Sequence, residues 1–147
     1  MLRLRPAQSE IADFTSGTFL PVIPDTIEPE GVTRVLLCAG KVYYDLVAQR
    51  EKLEDTTTAI LRIEQLYPLD AEALRAALAP YPDTEVVWVQ EEPLNQGAWS
   101  FITTTLPQVI SHVVSVVSRP RSASTASGLS SRHATEQADL VARAFER

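Results

Sequence analysis

Hydrophobic positions recur along this chain in two rhythms. Short, almost unbroken apolar runs occupy residues 32–38, 58–63, 85–89 and 113–117. Such runs, rich in Val, Ile and Leu and four to eight residues long, predict strands buried on both faces. Between them lie stretches with helical spacing. Residues 41–52 carry Val42, Leu46 and Val47 on one side and Gln49, Arg50, Glu51 and Lys52 at the end. Residues 71–79 are mostly Ala and Leu, preceded by Asp70 as an N-cap, with Leu69 and Leu74 at the spacing of a hydrophobic staple. A helix is predicted over 97–106, ended or bent by Pro107. A last helix is predicted over 132–145, with an apolar stripe of Ala134, Ala138, Val141, Ala142 and Phe145.

Strand and helix thus alternate four times. The fold expected is α/β, a three-layer sandwich with a mostly parallel sheet between helices. Right-handed crossovers would connect it. Residues 1–31 have no steady period and are broken by prolines 6, 21, 24 and 29. They predict an extended N-terminal arm, and residues 32–147 the domain. Residues 118–131 hold six serines and predict a loop.

In an open parallel sheet, functional groups collect beyond the carboxyl ends of the strands. That rule gathers Gly40-Lys41, Glu64-Gln65, Gln90-Glu91-Glu92 and the pair Arg119 and Arg121 on one edge. Asn95 and Gln96 follow closely, so a mixed polar rim is expected. Glu91 and Glu92 are neighbours on a strand and point to opposite faces. They make no acid–base pair, and capping of the next helix or pairing with Lys41 or an arginine is the plainer role. Lys41, Arg119 and Arg121 have the chemistry to hold an anion. Phosphate loops of the known glycine-rich kinds are absent, because no Ser or Thr follows Gly40-Lys41 and no G-x-G-x-x-G occurs.

Composition narrows the rest. The 147 residues are 45% hydrophobic and 22% charged, with a net charge of −6. One ordinary core is expected, and neither nucleic acid nor an anionic membrane suits that charge. Cys38 is the single cysteine, so a reducing, cytoplasmic setting is expected and the thiol reads as a buried apolar side chain. His112 and His133 are isolated, and neither a zinc site nor a Ser-His-Asp triad can be assembled from the sequence. Trp88 and Trp99 read as packing residues. No catalytic or metal residue is assigned.

Four stretches carry a resemblance: RVLLCAGKVYYDLVAQREK, ILRIEQLYPLDAEALRAAL, YPDTEVVWVQEEPLNQGAWSFI and HATEQADLVARAF. Together they resemble the C-terminal domain of the E1 component of 2-oxoglutarate dehydrogenase, a transketolase C-terminal-like domain. The opening Met-Leu-Arg and TSGTFLPVI resemble the linker leading into it. The resemblance implies a tricarboxylic-acid-cycle enzyme that decarboxylates 2-oxoglutarate with thiamine diphosphate and magnesium. It implies succinyl transfer to lipoamide on an E2 dihydrolipoyl succinyltransferase. It also implies that this domain is non-catalytic alone and supports the upstream E1 domains and the second E1 subunit. Some actinobacterial relatives bind acetyl-CoA here, and Lys41, Gln90 and Arg119 are the matching positions, with Arg121 beside them. In those relatives two arginines are adjacent, whereas here Pro120 separates them, and Ala12 stands where a basic residue precedes Asp13-Phe14. The rival readings are a self-sufficient anion- or nucleotide-binding module and the equivalent domain of another 2-oxoacid dehydrogenase.

Overall fold

A computed structural model describes residues 4–146. The opening Met-Leu-Arg lies outside them. The elements are α1 (Ile11–Thr15), β1 (Val22–Ile23), β2 (Arg34–Cys38), α2 (Val42–Leu53), β3 (Thr58–Ile63), α3 (Ala71–Leu78), β4 (Glu85–Pro93), α4 (Trp99–Val109), β5 (Val114–Arg119) and α5 (Ser130–Phe145). One sheet runs in the order β1-β3-β2-β4-β5. Its four long strands are parallel, and β1 pairs antiparallel with β3.

Strand alternation divides the core into two layers. Val35, Leu37, Leu61, Val86 and Trp88 point to one face and pack with Leu74 and Leu78 of α3 and Ile102 and Leu106 of α4. Leu36, Cys38, Ile60, Val87 and Val89 point to the other, under Val42 and Leu46 of α2 and Leu140, Val141 and Ala144 of α5. This is the three-layer sandwich the alternating pattern predicts. Asp70 caps α3 by accepting from the Ala73 amide at 2.9 Å, and Leu69 and Leu74 join the same cluster.

Several details differ from the sequence reading. The arm contributes β1 and the short helix α1, and the Pro21 carbonyl accepts from the Glu64 and Gln65 amides at 2.9 and 3.1 Å. Asp25 fixes the arm further: it pairs with Arg50 and accepts from the Thr26, Ile27 and Ile60 amides. Helix α4 passes through Pro107 to Val109. Proline removes one amide near the helix end and Ile110 still donates to Leu106 at 2.9 Å, so the last turn survives. Arg75 of α3 donates to the Val109 carbonyl at 2.9 Å. The α5 stripe is rotated: Ala134, Ala138 and Ala142 are exposed, while Leu140, Val141 and Ala144 are buried. Alanines satisfy either face, so they misplace the stripe; the larger Leu140 decides it.

At the amino edge of the sheet, Arg34 is buried. It meets the Glu85 carboxylate and donates to the Ala144 and Glu146 carbonyls, tying the end of α5 to β2 and β4.

Candidate functional site

The carboxyl edge is built around an irregularity in β4. Val89 is level with Val117, but the next pair is Pro93 with Arg119. Four residue steps on β4 therefore match two on β5, and Gln90, Glu91 and Glu92 absorb the excess. Such bulges re-aim side chains at a sheet rim. Strand β4 accordingly runs past the predicted end at 89 and reaches Pro93.

Gln90 continues the Trp88 side and is 3% exposed. Its Oε1 accepts from Trp88 Nε1 and from the Trp99 amide, both at 3.0 Å. Its Nε2 donates to the Gln96 carbonyl at 2.8 Å and the Pro93 carbonyl at 3.1 Å. Gln90, rather than Glu91 or Glu92, thus satisfies the first amide of α4. Asn95 extends the same framework by exchanging two bonds with the Ser122 backbone, at 2.9 and 3.0 Å. Gln96 donates to the Ser122 carbonyl at 2.9 Å. The polar residues after β4 therefore hold their own turn and the serine-rich loop.

Glu91 faces the other layer. Gln137 of α5 donates to Glu91 Oε1 at 2.9 Å and Asp45 Oδ2 at 2.8 Å, and its own Oε1 accepts from Arg119 at 2.9 Å. Lys41 pairs with Asp45 one helical turn on, and its ammonium lies 3.9 Å from Glu91. Arg119 Nη2 lies 3.2 Å from His133 Nδ1. Arg119 Nη1 is 3.6 Å from Glu136, itself paired with Arg132. Three cations (Lys41, Arg119, Arg132) thus meet three carboxylates (Asp45, Glu91, Glu136). The cluster is neutral as it stands, yet Arg119 is 7% exposed and its Nε is buried without a hydrogen-bond partner. Lys41 keeps 45% of its side-chain surface.

The residues singled out in the sequence are therefore divided by the sheet. Lys41 and Arg119 share one network. Gln90 lies on the opposite side with its amide fully engaged. Arg121 is exposed and has no hydrogen bond or ion pair among the described residues. Glu64 pairs with Arg62 at 2.7 Å, near the Tyr43 and Tyr44 rings that flank the guanidinium. Sequence reasoning missed Asp45, Glu136 and Gln137. Asp45 carried a signal, because it stands four residues after Lys41 where helical ion pairs form; the register of α5 carried none.

Cys38 lies beneath this edge, fully buried, with Sγ 3.8 Å from the Leu61 carbonyl. Burial pushes its thiol well above the usual range, Arg62 lowers it in part, and Glu64 raises it. No group of three His, Cys, Asp or Glu side chains suited to a metal occurs among the described residues. No helix among them is long and apolar enough to cross a membrane.

Strand order, layers and rim together define a transketolase C-terminal-like α/β domain. A solved split-gene transketolase, described as an inactive β4 tetramer, shares the fold at a TM-score of 0.54 and 18% identity, covering 79% of this chain and 39% of that one. The 2-oxoglutarate dehydrogenase C-terminal family model matches residues 8–145, and the chain belongs to that family. It is 42% identical over 99% of its length to a 2-oxoglutarate dehydrogenase E1 component of Cupriavidus necator, and 44% identical over 96% to one of Haemophilus influenzae. A multifunctional 2-oxoglutarate metabolism enzyme of Mycobacterium sp. (strain JLS) is 42% identical over 99%. The chain spans 16% of the length of the first two proteins and 12% of the third.

Proposed function

We propose that this chain is the C-terminal structural and regulatory domain of a cytoplasmic 2-oxoglutarate dehydrogenase E1. The complete enzyme would decarboxylate 2-oxoglutarate and pass the succinyl unit to lipoamide on the E2 dihydrolipoyl succinyltransferase. The observation that carries the reading is the family match over residues 8–145. Thiamine diphosphate would supply the electron sink for decarboxylation. For its magnesium ion the described residues offer no group of three His, Cys, Asp or Glu side chains. Other domains would hold both, and no step is assigned to this chain. Its role is to pack against the upstream E1 domains and the second E1 subunit. The attachment of the arm through β1 and Asp25 favours this over a self-sufficient nucleotide-binding module.

The reading is tested by assaying 2-oxoglutarate decarboxylation with thiamine diphosphate and magnesium. The chain alone should give no turnover, and added to an E1 lacking this domain it should restore activity. Turnover by the chain alone would overturn the assignment.

The regulatory part concerns an acyl-CoA such as acetyl-CoA, held by its phosphates at Lys41 and Arg119 with Arg121 nearby. The unpartnered Arg119 Nε and the half-exposed Lys41 support it. Gln90 would act only by holding the turn. Lys41→Ala should weaken acetyl-CoA binding by about 1–3 kcal/mol in calorimetry, and unchanged affinity would remove Lys41 from the site.

A further inference from the structure

The Lys41–Arg119 network carries its own anions, and they are not held alike. Asp45 accepts from Lys41 and, at 2.8 Å, from Gln137. Glu91 accepts from the same Gln137 amide at 2.9 Å. Both carboxylates are thus tied to α5 by hydrogen bonds. Glu136 is different. It comes only within 3.6 Å of Arg119 Nη1, beyond ordinary hydrogen-bond length. Its one hydrogen bond is from Arg132, four residues back on the same helix, whose side chain is 71% exposed. Glu136 can therefore turn to solvent without stranding a buried group.

Arg119 is the reverse case. Its side chain is only 8% exposed. Nη2 donates to Gln137 at 2.9 Å. Nη1 makes no hydrogen bond among the described residues, and Nε is buried without one. A buried guanidinium with unspent donors is short of an acceptor, and the carboxylate nearest to it does not supply one. The charges point the same way. Three cations stand against three carboxylates, so an incoming anion meets no net attraction until a carboxylate leaves. The carboxylate with the least to lose is Glu136.

We propose that Glu136 is a built-in competitor at the anion site: it stands before Arg119 Nη1, and a phosphate-bearing ligand binds by displacing it. Glu136 thereby sets the charge a ligand needs. A group with two or more negative charges outbids one loosely held carboxylate, and a singly charged group does not. The inference rests on the phosphate-site reading of Lys41 and Arg119 above, and the experiment below separates the two.

The test is calorimetric titration of the whole chain, wild type and Glu136→Gln, with inorganic pyrophosphate and separately with acetyl-CoA. The substitution keeps the size of the side chain and removes its charge. Pyrophosphate should bind Glu136→Gln roughly tenfold more tightly than the wild type, the scale of one like charge removed from a partly solvated site. A residue that merely held the fold would change affinity in the opposite direction. Glu72→Gln makes the same charge change at an exposed position on α3, in the other layer, and should leave affinity as it is. Adding Arg119→Gln to Glu136→Gln should remove the gain. Unchanged or weaker pyrophosphate binding in Glu136→Gln would overturn the proposal. So would an equal gain in Glu72→Gln, a gain that survives the loss of Arg119, or no binding by either protein. A pyrophosphate gain without acetyl-CoA binding would keep the competitor and remove the acyl-CoA reading.

Discussion

Gln90 and Glu91 are adjacent in the chain and belong to different worlds. Gln90 turns to the α3–α4 side, where every polar atom of its amide is bonded to a buried or backbone partner. Glu91 turns to the α2–α5 side and enters a charged network with a half-exposed lysine and an arginine that retains an unpartnered nitrogen. The first arrangement is closed and can only hold shape. The second balances charges at solvent reach and can exchange partners. A run of polar residues at a strand end thus does two jobs at once, and the pleat of the strand sorts them.

The contrast is broken most severely at Gln90. Gln90→Ala should destabilise the domain by about 2–4 kcal/mol, because it strands Trp88 Nε1 and several backbone groups without partners. Urea unfolding followed by tryptophan fluorescence measures this, and a change under 1 kcal/mol would deny the closed framework. On the other side, Arg119→Ala should cost about 1–3 kcal/mol, since it leaves Gln137 and Glu136 short of a partner inside a partly buried network. Cys38, under that same layer, sharpens the comparison through pH. Its folded thiol stays protonated while the unfolded one ionises above about pH 8.5. Stability contributed by this group is therefore complete below that pH and falls as pH rises, by about 1.4 kcal/mol per unit. Comparing stability at pH 8 and 9.5 in the wild type and Cys38→Ala should show this extra slope only in the former.

Smaller effects lie outward. Asn95→Ala removes two bonds to Ser122 and should cost about 0.5–1.5 kcal/mol, with faster proteolysis in the loop between β5 and α5. Lys41→Ala should change stability by no more than about 0.5 kcal/mol, because its ion pairs are exposed. Any loss well beyond that would place Lys41 with Gln90 as part of the framework.

Much of the sandwich was legible because its strands are apolar on both faces and announce themselves as unbroken runs. Asp70 was legible because a cap acts within three residues. The arm's strand was not: Val22 and Ile23 are two residues between prolines, and their partners in β3 are Ile63 and Arg62, far along the chain. Asp25 carried no sign that it would meet Arg50 and the Ile60 amide. The polar edge was legible as a place, since the carboxyl ends of parallel strands must coincide. Its division was only half legible. Alternation separates Gln90 from Glu91, but the bulge that lets Gln90 reach Trp99 and Gln96 depends on the pairing of β4 with β5, which no local pattern encodes.

The buried Arg34 has a consequence for synthesis. It joins β2, near the start of the domain, to carbonyls at 144 and 146. While the ribosome is still adding those residues, Leu36, Val87 and Val89 have no helix α5 over them. The nascent chain can build the α3–α4 layer early and lay α2 on the opposite face, but the strip of that face under α5 stays uncovered until α5 emerges. For that interval it presents a sticky apolar sheet, the kind of surface that chaperones shield.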